Sequence, residues 1–343
     1  MNQCEYAQEI SADNISTSVD LPETLARYGD SSEEAVTWEC PHPPHENNAC
    51  CIFHLEDDDR SDVSVEDVQE AFLERLASES PRSNQFIGAT LPALDLHHRT
   101  VEVEGPSQII LDKAHIGYID LRNSQIQAAI RGHDLTMGLF IGMYARLQGE
   151  FHLKESSIGE VELTGAVCSR HLRIEDCEIT VVSANQARFE ESVELITSTV
   201  SEAANFRRSR FATLANFSGS EFESEFIDLE ADSEEKLLRS SEMVNLPMQG
   251  IRRPAVAPDP ENQMSDGPGT DDEDESAEMY FGGRSFVDPK YIHINDVVDN
   301  GADFRDAEFG GETVFDEATF EYADFSRIEA PQISFIDATV QGI

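Results

Sequence analysis

From about Phe86 onward the chain repeats apolar-x-apolar pairs at intervals of five residues. Ile109/Leu111, Ala114/Ile116, Ile119/Leu121 and Ser124/Ile126 follow one another at that step, and Val161/Leu163 and Ala166/Cys168 continue it. On an α-helix a five-residue step turns the side chain by about 140°, so a repeated step scatters apolar residues around the cylinder and leaves no face to bury. In an extended chain, residues two apart point the same way, so each pair is a short strand with two inward side chains. The residues between pairs must turn the chain until the next pair faces inward. Repeated many times, this is an all-β solenoid.

The ladder places Leu111, Ile116, Leu121, Ile126, Leu163, Phe189, Phe206, Phe211, Phe217 and Phe222 inward. It stops over 231–300, where Pro254, Pro258 and Pro260, the turn Gly267-Pro268-Gly269 and the acidic run Asp271 to Glu275 cannot form a packed core. That stretch is expected to be a disordered or loosely ordered acidic insertion. The ladder restarts with Phe304, Phe309, Phe315, Phe320, Phe325 and Phe335 inward, so 86–230 and 301–343 are expected to be parts of one fold. Over 61–85 the pattern is helical. Ser64 is the N-cap, Asp67 completes a capping box, and Val65, Val68, Phe72 and Leu76 share one face suited to capping the coils. A short helix is also expected around Leu21 to Tyr28.

The runs A-D-F-R-D-A-E-F from Ala302 and A-T-F-E-Y-A-D-F from Ala318, with A-N-F at Ala204 and Ala215, resemble the pentapeptide-repeat family, whose unit is A-(D/N)-(L/F)-x-x. The match is specific over 203–227 and 301–343 and degenerate over 86–200. The resemblance implies a right-handed quadrilateral β-helix, four repeats to a coil of about 20 residues, with a small irregular or α-helical cap at the N-terminal side. Six-residue steps leave room for a three-sided coil locally. Some members of that family imitate DNA in shape and charge and occupy the DNA-binding saddle of type II topoisomerases.

Acidic residues number 68 against 24 basic ones, a formal charge of -44, spread along the whole chain, and the lysines are only Lys113, Lys154, Lys236 and Lys290. Direct nucleic-acid binding is disfavoured, because there is no basic stripe to release counterions. Two readings of the charge compete. One is a solvating surface for a high-salt cytoplasm, where screening removes self-repulsion; the other is imitation of a phosphate ladder that captures a basic DNA-binding protein. Met1 to Ile10 lacks a secretory pattern, and the apolar stretch Met137 to Leu147 is too short to span a bilayer. A cytoplasmic protein with no membrane segment in this chain is therefore expected. In that reducing setting cysteines are expected to bind metal or to be buried rather than form disulfides.

Within 1–60, three cysteines and three histidines fall between Cys40 and His54. Zn²⁺ favours thiolate and imidazole ligands in a tetrahedron. Cys40, His42, Cys51 and His54 supply four such donors across a Pro-rich turn, with Cys4, His45 and Cys50 as alternates, and a structural zinc is expected. The segment C-P-H…C-I-F-H-L resembles one that precedes the repeats in acidic pentapeptide-repeat proteins of haloarchaea. His97, His98, His115, His133, His152 and His171 fall at differing phases of the ladder and are read as surface or turn residues. Cys168 and Cys177 take inward positions as small hydrophobes. No phosphate-loop, dinucleotide, nucleophile-elbow or H-E-x-x-H motif occurs. These features point to a non-enzymatic solenoid that binds an unidentified protein partner, with a homodimer through an end coil as a further expectation.

Overall fold

The computed structural model describes residues 4–10, 36–46, 48–61, 63–78, 80, 82–102, 108–223, 278–281, 284–287 and 301–342. The chain divides into two units, 1–247 together with 300–343, and 248–299. In the second, the described segments Glu278–Phe281 and Arg284–Val287 pair antiparallel. The helix expected at Leu21 to Tyr28 and the Pro-rich, acidic part of the expected insertion lie outside the described residues.

The first unit is a β-solenoid. Its strands stack in parallel into three sheets of seven, eight and ten strands. From Ile116 the register climbs by 21 residues per coil, Ile116 to Met137 to Ile158 to Ile179 to Val200, then by 22 to Phe222. The coil is thus one residue longer than four uniform repeats, because one side per turn takes a six-residue step. Between Phe320 and Val340 the step falls to 20. The lowest coil is longer, Leu91 lying under Ile116. Its strand Thr90–Asp95 contains Pro92, which lacks a backbone donor and is tolerated because this is the terminal strand of its sheet.

The interior is built from four columns of side chains, one per step of the repeat, and no stretch with three columns occurs among the described coils. At the C-terminal end the columns are phenylalanine stacks. Phe206, Phe304 and Phe325 lie ring on ring at 5.1 and 5.2 Å, and Phe189, Phe211 and Phe309 at 5.0 and 4.8 Å. Phe217, Phe315 and Phe335 stack at 5.1 and 5.0 Å, and Phe222 on Phe320 at 5.0 Å. These spacings are close to the interstrand distance of about 4.8 Å, so backbone stacking and ring stacking impose the same rise. Leu111, Ile116, Leu121, Ile126, Leu163, Phe189 and the other inward residues are buried up to Phe320, while Phe325 is half-buried and Phe335 is 42% exposed on the last coil.

The polar position of the repeat closes the turns. Asp120, Asn205, Asp303 and Asp324 each precede an inward residue and accept the amide of the residue two further on, at 3.0, 3.0, 2.9 and 2.8 Å. Glu162 does the same for Thr164 at 2.7 Å. These are Asx-type turns, and they give the D/N position a mechanical role. Two of the four corners also require a left-handed residue. One runs Lys113, Asp134, Glu155, Asp176, Thr197, Gly219, and the other Asn123, Tyr144, Gly165, Gln186, Arg208. Each amide so presented reaches the next coil, as Lys113 N donates to His133 O at 2.7 Å and Asp134 N to Lys154 O at 3.0 Å.

The strand Thr199–Asn205 explains how the ladder survives its interruption. Val200 is paired with Phe222, and Ala204 with Ala302, so the chain leaves at Glu223 and rejoins at Gly301 on one corner of one coil. Phe206 N donates to Asp303 O at 2.7 Å as though the two coils were contiguous in sequence.

At the N-terminal side, α1 (Asp57–Arg60) is a single turn and α2 (Val65–Leu76) is the amphipathic helix. Ser64 caps α2 reciprocally with Asp67, and Val68, Phe72 and Leu76 are buried. The Phe72 ring lies 4.5 Å from that of Phe86, which also meets Phe53 at 5.1 Å. This aromatic group covers the first coil.

Truncating Phe206 or Phe320 to Ala is expected to destabilise by about 3–5 kcal/mol, and Phe335→Ala by less because its ring is already part-hydrated. Glu321→Ala, at an exposed position, should change stability by less than about 0.5 kcal/mol. Urea unfolding of the four variants checks the order; equal losses at Phe320 and Glu321 would refute the interior columns.

Candidate metal centre

The segment that carries the centre is held by backbone pairing before any metal is considered. Strand β1 (Ala7–Ile10) pairs antiparallel with β2 (Val36–Glu39), with Ala7 opposite Glu39. Cys4 N then donates to His42 O at 3.1 Å, and Cys40 N to Tyr6 O at 3.0 Å. This register puts Cys4 beside Cys40. The Pro-rich turn is closed by His45 N to Cys50 O at 2.8 Å and returns the chain, and His54 N bonds to Cys51 O at 2.9 Å. Cys51 N donates to Cys4 Sγ at 3.1 Å, drawing the three cysteines together.

The donor atoms of Cys4, Cys40, Cys51 and His54 all lie within 4.8 Å of one another, and all four residues are buried. Cys40 Sγ is 3.7 Å from Cys51 Sγ, Cys51 Sγ is 3.1 Å from His54 Nδ1, and Cys4 Sγ is 4.0 Å from His54 Nδ1. A tetrahedral ion bonded to sulfur at about 2.3 Å and to nitrogen at about 2.0 Å requires edges of about 3.5–3.8 Å between donors. The four donors bracket those lengths, so together they could hold a metal ion.

The imidazole is oriented for ligation. His54 Nε2 donates to Ile87 O at 2.8 Å, which leaves the unprotonated Nδ1 facing the sulfurs, the arrangement in which a backbone carbonyl fixes a ligand's tautomer. Tyr6 stacks on the same ring at 3.9 Å and 4°. Gly88, at φ +67°, lets that tyrosine in, since a Cβ there would collide with its hydroxyl.

The thiols cannot all ionise unaided. Hydrogen bonds from Cys40 and Cys51 hold the Cys4 thiol well below the ordinary thiol range, while the same bonds, with burial, push Cys40 up and Cys51 up to about 12. A bound dication would supply the missing charge.

His42, expected as a ligand, stands outside this group of four. Its Nδ1 is 3.5 Å from Cys40 Sγ, and its Nε2 donates to Ser83 O at 3.0 Å. Its ring packs against Phe53 at 5.0 Å and Phe86 at 5.1 Å, and burial lowers its pKa to about 4. Cys4, expected as an alternate, takes the fourth place. His45 and Cys50 are half-buried outside the group. Proximity in sequence favoured His42, and the pairing of β1 with β2, which brings in Cys4, leaves no local signal in the sequence.

A second cluster, Asp95, His97 and Asp120, also has its donor atoms close together. Asp120 is committed there to the Arg122 guanidinium at 2.7–3.1 Å and to the turn amide, so the cluster belongs to the turn chemistry described above. Cys168 and Cys177 are buried in the columns, and burial raises them to about 12 and about 11.

His152 lies on the outer side of the eight-stranded sheet between Arg131 and Arg173 in register. Burial, then the neighbouring Arg173 and Arg131, lower it from 6.5 to about 4. The folded chain therefore resists a proton that the unfolded chain accepts. Stability is expected to be full above pH 6.5 and to fall as the pH drops from 6.5 toward 4, with a shallower slope in His152→Gln, as read from denaturation midpoints across that range.

Compared with known proteins, the chain matches no family model, no curated protein and no solved structure.

Proposed function

We propose that the protein is a non-enzymatic scaffold, an acidic right-handed solenoid of the pentapeptide-repeat kind in a high-salt cytoplasm, whose N-terminal cap is fastened by a structural zinc and whose outer faces dock a protein partner. The observation that carries this reading is the filled interior: phenylalanine rings stacked at 4.8–5.2 Å occupy the space inside the coils. What remains for recognition is the outer surface. Among the described residues no helix is long and apolar enough to cross a membrane.

The zinc follows from the donor set. Three thiolates and one imidazole, all buried, make the closed four-ligand arrangement of structural sites, whereas a catalytic site keeps a position open. Its work is mechanical. Cys4, Cys40 and Cys51 belong to non-repeating peptide, and His54 is hydrogen-bonded to Ile87 at the start of the coils, so an ion shared by the four ties that peptide to the solenoid. Zinc analysis of protein purified without chelator should give one ion per chain, retained in His45→Ala and lost in the Cys4→Ser/Cys51→Ser double variant with a lower melting temperature. A metal-free wild type would remove this part of the reading.

The charge supports a high-salt setting. Outward side chains pair across coils, with Arg173 to Glu194 at 2.8 Å, Arg170 to Glu191 at 2.8 Å and Arg210 to Glu308 at 2.9 Å. Exposed pairs contribute at most about 1 kcal/mol each, and 68 acids against 24 bases leave most carboxylates without one. Screening must cover the rest. The melting temperature is expected to rise between about 0.1 M and about 2 M KCl, the range over which the screening length falls from about 10 Å to below 3 Å. In molar KCl an equimolar amount of the protein should leave supercoiling by a type II topoisomerase unchanged. Inhibition would replace the scaffold with a DNA mimic.

A further inference from the structure

Where the ladder is interrupted, one level of the solenoid is assembled from two separate pieces of chain. Ser201 and Glu202 join Val200 to Ala203, whereas the whole of 223–300 lies between their partners Phe222 and Gly301. The strand Thr319–Asp324 then covers both pieces, pairing Phe320 with Phe222 and Ala323 with Ala302. The joint is made by stacking: Phe206, Phe211, Phe217 and Phe222 take Phe304, Phe309, Phe315 and Phe320 ring on ring at 4.8–5.1 Å. Glu308 N donates across it to Ser209 O at 2.9 Å, and Thr319 N to Ser220 O at 2.8 Å. Its two sides are opposite in charge. From Thr199 to Phe222 the bases Arg207, Arg208 and Arg210 outnumber the acids Glu202 and Glu221, while 301–343 carries ten acids against Arg305 and Arg327. Arg210 reaches Glu308 at 2.9 Å and Arg208 approaches Asp306 at 3.8 Å. In a chain of net charge -44, a locally basic coil is the seat of an acidic one.

We propose that the Thr199–Phe222 coil is a docking surface for an acidic phenylalanine-repeat segment, filled in the closed chain by its own 301–343 and in a reciprocal dimer by 301–343 of a second copy. The exchange keeps every stacked ring, coil-to-coil hydrogen bond and ion pair of the joint, because each copy receives from the other what it gives. Closed and exchanged forms differ at the joint only in the tether. A tether holds its ends together at an effective concentration that falls roughly as the −3/2 power of its length, so this joint is open to a second copy where joints between directly connected coils are not. Two chains of this charge repel, and the salt that screens them favours the exchange. The pairing takes place inside the ladder and needs no contact between end coils.

Arg210 and Glu308 are partners in adjacent parallel strands with exposed side chains, and strands about 4.8 Å apart lie within disulfide reach. Full-length Arg210→Cys and Glu308→Cys chains are mixed in urea with reductant, refolded together in molar KCl, checked by circular dichroism and oxidised with glutathione disulfide. A cross-linked dimer of unlike chains is expected, above the baseline that the native cysteines give in each variant refolded alone. Raising the protein concentration tenfold should raise its ratio to closed chain about tenfold while closed chain dominates, as mass action requires. The Arg210→Cys/Glu308→Cys double variant, refolded dilute, should cross-link within one chain. An internal cross-link there with no unlike dimer at any concentration would overturn the exchange, and no internal cross-link would overturn the joint itself. A second experiment needs no thiol. In moderate salt, where ion pairs are still felt, Arg208→Glu/Arg210→Glu and Asp306→Arg/Glu308→Arg chains each face like charge in the closed form and opposite charge only in the exchanged one. Refolded together they should form an unlike dimer by light scattering that neither forms alone; two separate monomers would remove charge as the basis of docking.

Discussion

Each coil of this protein satisfies the backbone of the next, and the rest of the structure answers to that requirement. Amides and carbonyls at every corner and strand point along the stacking direction, as in Leu121 N to Ile141 O at 2.7 Å and Phe304 N to Asp324 O at 2.9 Å. An unpaired buried backbone group costs about as much as a lost hydrogen bond, so successive coils must keep nearly the same length and phase. The 21-residue register from Ile116 to Val200 is the outcome. Where it lengthens by one, between Ile179 and Val181 on one strand and Val200 and Ala203 on the next, the pairing shifts locally and then resumes. The detour between Glu223 and Gly301 obeys the same rule, because its two ends lie at one corner and cost the ladder nothing.

That constraint also explains which side chains repeat. A column position receives the same neighbour above and below, so a ring that stacks well once stacks well at every level. The C-terminal coils converge on phenylalanine in all four columns, whereas the middle coils mix Ile, Val, Leu and Cys168 and fill the same space by interdigitation. Asp or Asn before the inward residue recurs for a different reason. Its carboxylate or amide oxygen takes the turn amide two residues on, a bond local to each turn. In Asp120 with Arg122, and again in Asp303 with Arg305, the residue two further on adds a guanidinium to the same oxygens at 2.6–3.1 Å.

A stack of like coils has two ends that its repeat cannot finish. At the N-terminal side the problem is met by non-repeating peptide: Phe53, Phe72 and Phe86 form an apolar cover, and Cys4, Cys40, Cys51 and His54 gather beneath Tyr6 and Trp38. On the last described coil Phe335, Ile336 and Val340 are exposed.

The sequence by itself determined the solenoid, because a five-residue apolar step has no burial solution on a helix and one on a coil of short strands. It determined the inward residues for the same reason, down to Phe304 and Phe320 beyond the interruption, and the helix at Val65–Leu76 through its capping box and apolar face. It also marked the short segment in which three of the four clustered residues that could hold a metal ion lie. Tertiary structure alone decided the coil length of 21, which depends on where the six-residue step falls, and the restriction of left-handed turns to two corners, which residues as different as Lys113, Tyr144 and Thr197 do not announce. It also decided the exchange of His42 for Cys4. Local spacing proposes ligands from neighbours in the chain, but a metal site is assembled by distance in space. The pairing of Ala7 with Glu39 brought a cysteine from the far side of a long segment into the group of four, while the histidine two residues from Cys40 stands outside it.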